Sequence, residues 1–544
     1  MTTSEKDGPV SGFRTLLAAT VAVSSLGSAA HAQNDPRLAS IEAQIKALQA
    51  ELATVRRDLA ASRSETRAAR QARTAPAQPA GQAPGRGPGA AQQASATASN
   101  GPGTQTGANL PVETSSVAPP TGTGPAVANP GGVSFPKGRP TFTSNDGRFS
   151  AAVGLQLHYD IGGEFTGPQP NAQPSRLDSF GQNLRRARLP FVFKYDDFQI
   201  NLTPDFGNSP DGSPTLYEAN INYVPRGTPL TATVGYFKPW YTLQDSMSSN
   251  DFLFLERPSI VEASRNVAAG DARSSAGVRW AAPRYFAAAY LTGAPYASQS
   301  TTLAQPQQTG GTLRIAGRPF ASEDTDLHIG FSGASAFRIQ RTSSGQTLTI
   351  QDRPELRIDN NRLVSTGALN ASSAYTYGPE FGLRYRNFLV QGEYGRIGVN
   401  RANTPNPGGS TPALEFDGGY VEGSWVITGE PRAYDSSEAA FGSPKPKQPF
   451  SLKDGHAGAF ELVGRYSHLN LNDKVTRGIS QSVTGGVFGG EQNVYSVGLN
   501  WYPSDFLRFM LDYDIVNVDR LSSAGTTQIG RRYQAVGLRA QAAF

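Results

Sequence analysis

The 544-residue sequence contains no cysteine. That absence excludes a disulfide framework, thiolate catalysis and cysteine-ligated zinc. No internal stretch approaches the roughly 18 apolar residues of a membrane helix. The histidines are scattered at His31, His158, His328, His456 and His468, with no pair at helical metal spacing. No nucleophile elbow or P-loop accompanies them, so neither a metal, a cofactor nor an enzymatic activity is expected. Lys and Arg exceed Asp and Glu by 49 to 44. The excess forms no dense basic cluster, so a nucleic-acid partner is not expected either. The hydrophobic share of 38% still admits a membrane β-barrel, whose strands alternate apolar and polar side chains and so look mild on average.

At the N-terminus, Lys6 and Arg14 precede an apolar run from Leu16 to Leu26, and Ala30-His31-Ala32 follows. This is the pattern of a secretory signal peptide over residues 1–32, cleaved before Gln33; the run is too short for an anchor. Next, Leu38, Ile41, Ile45, Leu48, Leu52, Val55 and Leu59 are spaced alternately by 3 and 4. That is a heptad seam, flanked by Glu42, Lys46, Arg56 and Arg57, and it predicts a periplasmic coiled coil over 33–73. Leu, Ile and Val at its core positions favour three strands and hence a homotrimer. Residues 74–140 collapse to Ala, Gln, Gly, Pro, Ser and Thr. A segment so poor in apolar area cannot offset its chain entropy, and reads as a disordered linker.

From residue 141 the texture changes to period two. Phe149, Ala151, Val153, Leu155, Leu157, Tyr159 and Ile161 are apolar, with Ser150, Ala152, Gly154, Gln156, His158 and Asp160 between them. The pattern recurs as hairpins around Arg386-Asn387, Ala282-Pro283-Arg284 and Tyr502-Pro503-Ser504-Asp505, and it alternates with longer polar stretches such as Ser298 to Gly311 and Arg401 to Pro412. One tight end, one loop-rich end and aromatic residues near strand ends predict an all-β, antiparallel transmembrane barrel over 141–544, surrounded by outer-membrane lipid. The last strand alternates through Val536, Leu538, Ala540 and Ala542 to Phe544.

If apolar residues face lipid, the other parity faces the lumen. That places Arg186, Arg188, Lys194, Arg279, Arg314, Arg384, Arg465, Arg508 and Arg539 inside, with Glu393, Glu461, Asp512 and Asp514. A guanidinium presents paired donors and keeps its charge, and rings of Arg or Lys make anion pores. The bland alternative is that these arginines pair with lumen acids and stiffen the wall.

Several stretches together resemble the phosphate-selective porin O and P family. They are Arg185-Arg186-Ala187-Arg188-Leu189, Leu216 to Tyr223, Val234 to Pro239 with Ser248-Ser249-Asn250-Asp251 and Phe254 to Arg257, Tyr420 to Trp425 with Gly429 to Arg432, and Gly458 to Tyr466. A terminal Phe544 resembles the signature read by the barrel-assembly machinery of bacterial outer membranes. The resemblance implies a sixteen-strand trimeric porin whose third loop folds inwards. It makes Arg186 and Arg188 guides for inorganic phosphate, polyphosphate or other anions, and puts Ser248, Ser249 and Arg257 on or beside the constriction. Met247 to Phe252 carries no lysine, a departure from a tight phosphate site. The competing expectation is a general small-solute porin that also tethers the outer membrane to peptidoglycan through its coiled coil.

Overall fold

The computed structural model describes residues 131–166, 179–207, 214–270, 272–295, 307–342, 345–358, 361–402 and 411–544. The expected signal peptide and coiled coil, and most of the expected linker, lie outside the described residues.

Sixteen antiparallel strands close into a barrel. In chain order they are β1 (Phe149–Val153 and Gln156–Phe165), β2 (Ser179–Arg188 and Phe191–Tyr195), β3 (Phe198–Asp205), β4 (Thr215–Tyr223), β5 (Leu230–Phe237), β6 (Arg273–Ala281), β7 (Tyr285–Pro295) and β8 (Thr309–Ala321). There follow β9 (Thr325–Arg338), β10 (Leu369–Tyr385), β11 (Phe388–Arg401), β12 (Leu414–Val426), β13 (Ala459–Asp473), β14 (Val487–Ser504), β15 (Leu507–Asp519) and β16 (Arg531–Ala543). Each pairs with the next, and β16 closes on β1 from Gln534↔Phe165 to Ala543↔Gln156.

Period two places the side chains as the lipid argument requires. Leu157, Ile200, Ile221, Val234, Val278, Leu313, Ile329 and Val390 are exposed on the outer face, while Gln156, His158, Asp160 and Thr203 are buried inside. Aromatics such as Phe198, Tyr223, Trp280, Tyr285, Tyr385, Phe388 and Trp425 are exposed near the short turns. Phe388 stacks on Trp425 at 5.8 Å and Trp501 on Phe509 at 5.4 Å. They form an interfacial girdle.

β1 and β2 are each interrupted once, side by side. Gly154 N donates to Pro190 O at 2.8 Å, and Leu155 exchanges backbone bonds with Phe544 at 3.2 and 3.0 Å. A Cβ on Gly154 would lie 2.9 Å from Phe544 O, and Pro190 offers no N–H to a ladder. Here β16 runs out. Below this point Phe149–Val153 takes Thr141–Thr143 as its neighbour, and that segment pairs in turn with Gly132–Ser134.

The turns at Arg386-Asn387 and Ala282–Arg284 stand where the alternation put them. The turn expected at Tyr502–Asp505 is corrected: β14 continues through an irregularity to Ser504, and the chain reverses at Asp505-Phe506. Pro503 does not end the strand because a bulge tolerates its missing N–H.

Three connections fold into the barrel rather than away from it. At the loop-rich end, residues 238–272 carry α1 (Leu243–Ser246) and α2 (Ser259–Ala268), both of which are buried. At the same end, residues 350–357 bring buried Ile350, Leu356 and Arg357 against them. The third comes from the tight end. Residues 427–458 join β12 to β13, and Tyr434–Asp435 pairs with Ala440–Phe441 as a small hairpin inside the barrel. A connection of this length breaks the expectation of uniformly short turns there. Its Phe441 packs with Leu253 and Phe254 of the first insert, and its Ala440 with Leu243, Met247 and Phe252.

Candidate functional site

The inserts divide the lumen arginines into groups. The first surrounds the tip of the 238–272 insert. Gln156 Nε2 donates to Ser249 Oγ at 2.8 Å and to Asn250 Oδ1 at 2.9 Å. Arg188 donates to Gln156 Oε1 at 3.1 Å, pairs with Asp205 at 2.7 Å, and lies over the Tyr217 ring at 3.6 Å. Arg186 Nη1 meets His158 Nδ1 at 2.8 Å, and His158 Nε2 meets Asn250 Oδ1 at 2.9 Å. A guanidinium only donates, so Nδ1 accepts and Nε2 carries the proton: His158 is a neutral imidazole. Arg508 Nη1 and Gln541 Nε2 both donate to Asn250 O, at 3.2 and 3.0 Å. The fold thus brings Arg186, Arg188, Arg508 and Ser249 to one place, with Ser248 next to them on the far side of the tip, where its N–H meets Glu438 Oε2 at 3.2 Å.

The second group lies on the loop-rich side. Lys238, Arg185, Arg257, Arg265, Arg357 and Arg539 face Asp160, Asp245, Glu256 and Glu262, six cations against four carboxylates. Glu256 is the hub. It takes Arg185 at 2.7 Å, Arg357 at 3.0 Å and Arg539 at 3.1 Å. Burial pushes its pKa up, but these guanidiniums outweigh burial and hold it well below the usual carboxylate range. Glu262, also buried, is held down at about 2 by Arg357, Arg265 and Arg257. Arg257 sits here rather than at the insert's tip, between Asp245 at 3.6 Å and Glu262 at 3.4 Å.

Strict alternation would turn Arg185 outwards. In the structure it is buried, because β1 and β2 slip register between His158↔Arg186 and Tyr159↔Leu184. At this β-bulge the ladder register skips Arg185, which swings inwards beside Arg186. The adjacent arginines were visible in the sequence; the slip was not. Glu256 and Arg357 were equally out of reach, because both lie on inserts whose direction no periodicity reports.

The remaining predicted residues are spread along the wall. Arg465 pairs with Glu355 of the 350–357 insert at 2.5 Å and Glu422 at 3.5 Å. Arg279 lies over Trp240 at 4.6 Å and donates to Ser437 O at 3.2 Å. Arg314 pairs with Glu380 at 2.8 Å and caps the carbonyls of Glu438 and Ala439 at 2.7 and 2.8 Å. Arg384 holds Asp326 at 2.6 Å beside the tight turn at Ser322–Asp324. Lys194, at the same end on β2, is only partly buried. All the predicted arginines therefore face inwards, where they meet polar groups, carbonyls and rings of the wall and of the inserts. Among the described residues, Arg279 and Arg508 have no carboxylate within ion-pair distance, and the Nε of each is buried without a hydrogen bond.

Two groups on the inserts titrate near neutrality. Burial pushes Lys238 down to about 7, against the pull of Asp245. Burial, with Glu262, pushes Asp352 up to about 8. Raising the pH through this window removes one positive charge and adds one negative charge. Anion preference, read as the reversal potential in a salt gradient, is expected to fall between about pH 6 and about pH 9. A preference that rises over this range would show that other groups control the field.

A model of the family described as phosphate-selective porin O and P matches residues 152–544. A protein of Caulobacter vibrioides, described as uncharacterized, is 26% identical over 398 residues, or 70% of this chain and 71% of that one. Porin O of Pseudomonas aeruginosa is 24% identical over 110 residues, or 20% of this chain and 23% of that one. Among solved structures, the outer membrane protein OmpT of Vibrio cholerae aligns with a TM-score of 0.44 at 10% identity, covering 73% of this chain and 98% of that one.

Proposed function

Because the chain belongs to the phosphate-selective porin O and P family, and is accordingly a porin of the outer membrane, we propose that it passes compact anions, phosphate or polyphosphate first, along the arginines of its lumen. The observation that carries the reading is the convergence of Arg186, Arg188 and Arg508 on the tip of the 238–272 insert, with neutral donors from Gln156, His158 and Gln541. Guanidinium groups recognise phosphate oxygens through paired donors, and amide donors replace hydration without adding charge. The expected homotrimer and the seam over 33–73 belong to the same reading; anchorage to peptidoglycan belongs to the alternative of a general small-solute porin, and the two roles can coexist. Deleting residues 33–130, which spares the Gly132–Ser134 strand paired beside β1, should leave conductance per barrel unchanged while weakening any such anchorage.

The direct test is the reversal potential of the purified protein in planar bilayers under a chloride gradient, repeated with added phosphate. Anion selectivity and a chloride current blocked by low phosphate are expected, and Arg186→Ala with Arg188→Ala should weaken both. Cation selectivity would sink the proposal. Anion selectivity indifferent to phosphate would reduce it to a general small-solute porin.

A further inference from the structure

We propose that the Glu256 carboxylate occupies a built anion seat, standing in for the permeating ion, and that a compact oxyanion such as inorganic phosphate loosens the constriction by exchanging with it. The inference rests on the reading of the chain as an anion channel and adds how phosphate passes the strap: the exchanged ion holds the seat against chloride, so phosphate blocks the chloride current.

The seat is made by guanidiniums from separate elements. Arg185 reaches it from the β2 bulge, Arg539 from β16, and Arg357 from the 350–357 insert. Glu256 Oε1 accepts from Arg185 Nε at 2.7 Å and Arg539 Nη2 at 3.1 Å, Oε2 accepts from Arg185 Nη2 at 3.1 Å, and Arg357 Nε makes an ion pair with Oε2 at 3.0 Å. Those contacts fill the roughly four acceptor positions of a carboxylate. A phosphate dianion offers more acceptors and twice the charge to the same donors. Every guanidinium of the seat is more than nine-tenths buried, so an ion held there is largely out of water.

Glu256 can leave when an anion takes its place, because the incoming ion replaces the bidentate partner that Arg185 gives up. Arg539 keeps Asp160 at 2.6 Å and Arg357 keeps Glu262 at 3.0 Å, so departure of Glu256 does not strip either of its charge partners. The residue also sits on the strap folded into the lumen. Leu255 N donates to Asp512 at 2.7 Å, Arg539 Nη1 to Leu255 O at 2.6 Å, and Arg465 Nη1 to Glu256 O at 3.0 Å. Neighbouring Leu253 and Phe254 pack on Phe441 of the opposing insert. Replacing the Glu256 side chain by a mobile ion removes one charged anchor of this strap and leaves the barrel wall intact.

The experiment compares the full-length protein, Glu256→Gln, and Glu256→Gln combined with Arg357→Gln in planar bilayers, with inorganic phosphate as the probe and chloride as the carrier. Glu256→Gln should carry more chloride current at rest. Its current should be blocked by phosphate at a concentration about tenfold lower than in the wild type, the factor of one charge-assisted hydrogen bond. Arg357→Gln in that background should cancel the gain. In the wild type, phosphate should accelerate amide hydrogen exchange over residues 253–257, and chloride at equal ionic strength should not. That readout decides the matter even if Glu256→Gln does not fold. An anion-selective channel with the same phosphate midpoint in wild type and Glu256→Gln, or with no phosphate effect on exchange, would overturn the exchange mechanism and leave the channel reading standing. A cation-selective wild type would remove both.

Discussion

Excising residues 433–442 and joining Arg432 to Ser443 through two glycines is expected to raise the single-channel conductance several-fold. The cut ends are adjacent, since Gly442 N donates to Ala433 O at 2.8 Å, so no strand of the barrel has to move. What is removed is the hairpin that stands across the lumen from the tight end. It carries Ser437, Glu438 and Ala439, whose carbonyls cover Arg279 and Arg314 at 3.2, 2.7 and 2.8 Å. Those guanidiniums would then face water and counterions. The hairpin also carries Glu438, whose carboxyl burial and the nearby Asp435 and Asp251 push well above the usual range. With carbonyl caps and acids gone, the lumen is wider and more basic, so conductance and anion preference should rise together. An unchanged conductance in a folded protein would place the permeation path elsewhere.

The second large effect is expected at Arg432. Its guanidinium is bidentate to Glu461 at 2.5 and 2.9 Å, and it donates to Asp251 O at 2.8 Å and Gly442 O at 3.1 Å. It therefore ties the tight-end insert to the wall and to the other insert at once. Burial works against its charge, but Glu461 and Tyr502 beside it hold its pKa above the usual arginine range. Breaking a buried ion pair by removing one partner costs about 3–5 kcal/mol, because the other charge stays buried. In Arg432→Ala that charge is Glu461, left with Tyr502 at 2.7 Å and Asn500 at 3.1 Å. The loss falls on the insert, whose amides over 433–442 should exchange about a hundredfold faster or more. Amides of β13 and β14, held in the ladder from Ala459↔Tyr502 onwards, should be unaffected. Uniform acceleration across the barrel would mean that Arg432 supports the whole fold rather than the insert.

The barrel itself was legible because a membrane wall leaves one solution per strand. With lipid outside and polar groups inside, side chains must alternate, so parity alone assigned Arg186, Arg188, Arg279, Arg384, Arg465 and Arg508 to the interior. The tight turn at Arg386-Asn387 followed from the same pattern. Resemblance added the inward course of the 238–272 insert and the place of Ser248 and Ser249.

Parity failed where the ladder slips or the chain leaves it. Arg185 turns inwards at a register shift between β1 and β2. Pro503 is carried past by an irregularity between β14 and β15. The tight-end insert has no period to read, and Phe441 and Arg432 take their positions from partners far away in sequence, Leu253 and Glu461. The sequence by itself thus determined the alternating wall and which arginines face inwards, because local chemistry against lipid and water is enough for that. Whether those arginines meet open water or the carboxylates and carbonyls of the inserts was decided only by tertiary structure, because ion pairs such as Arg539–Glu256 join residues 283 positions apart.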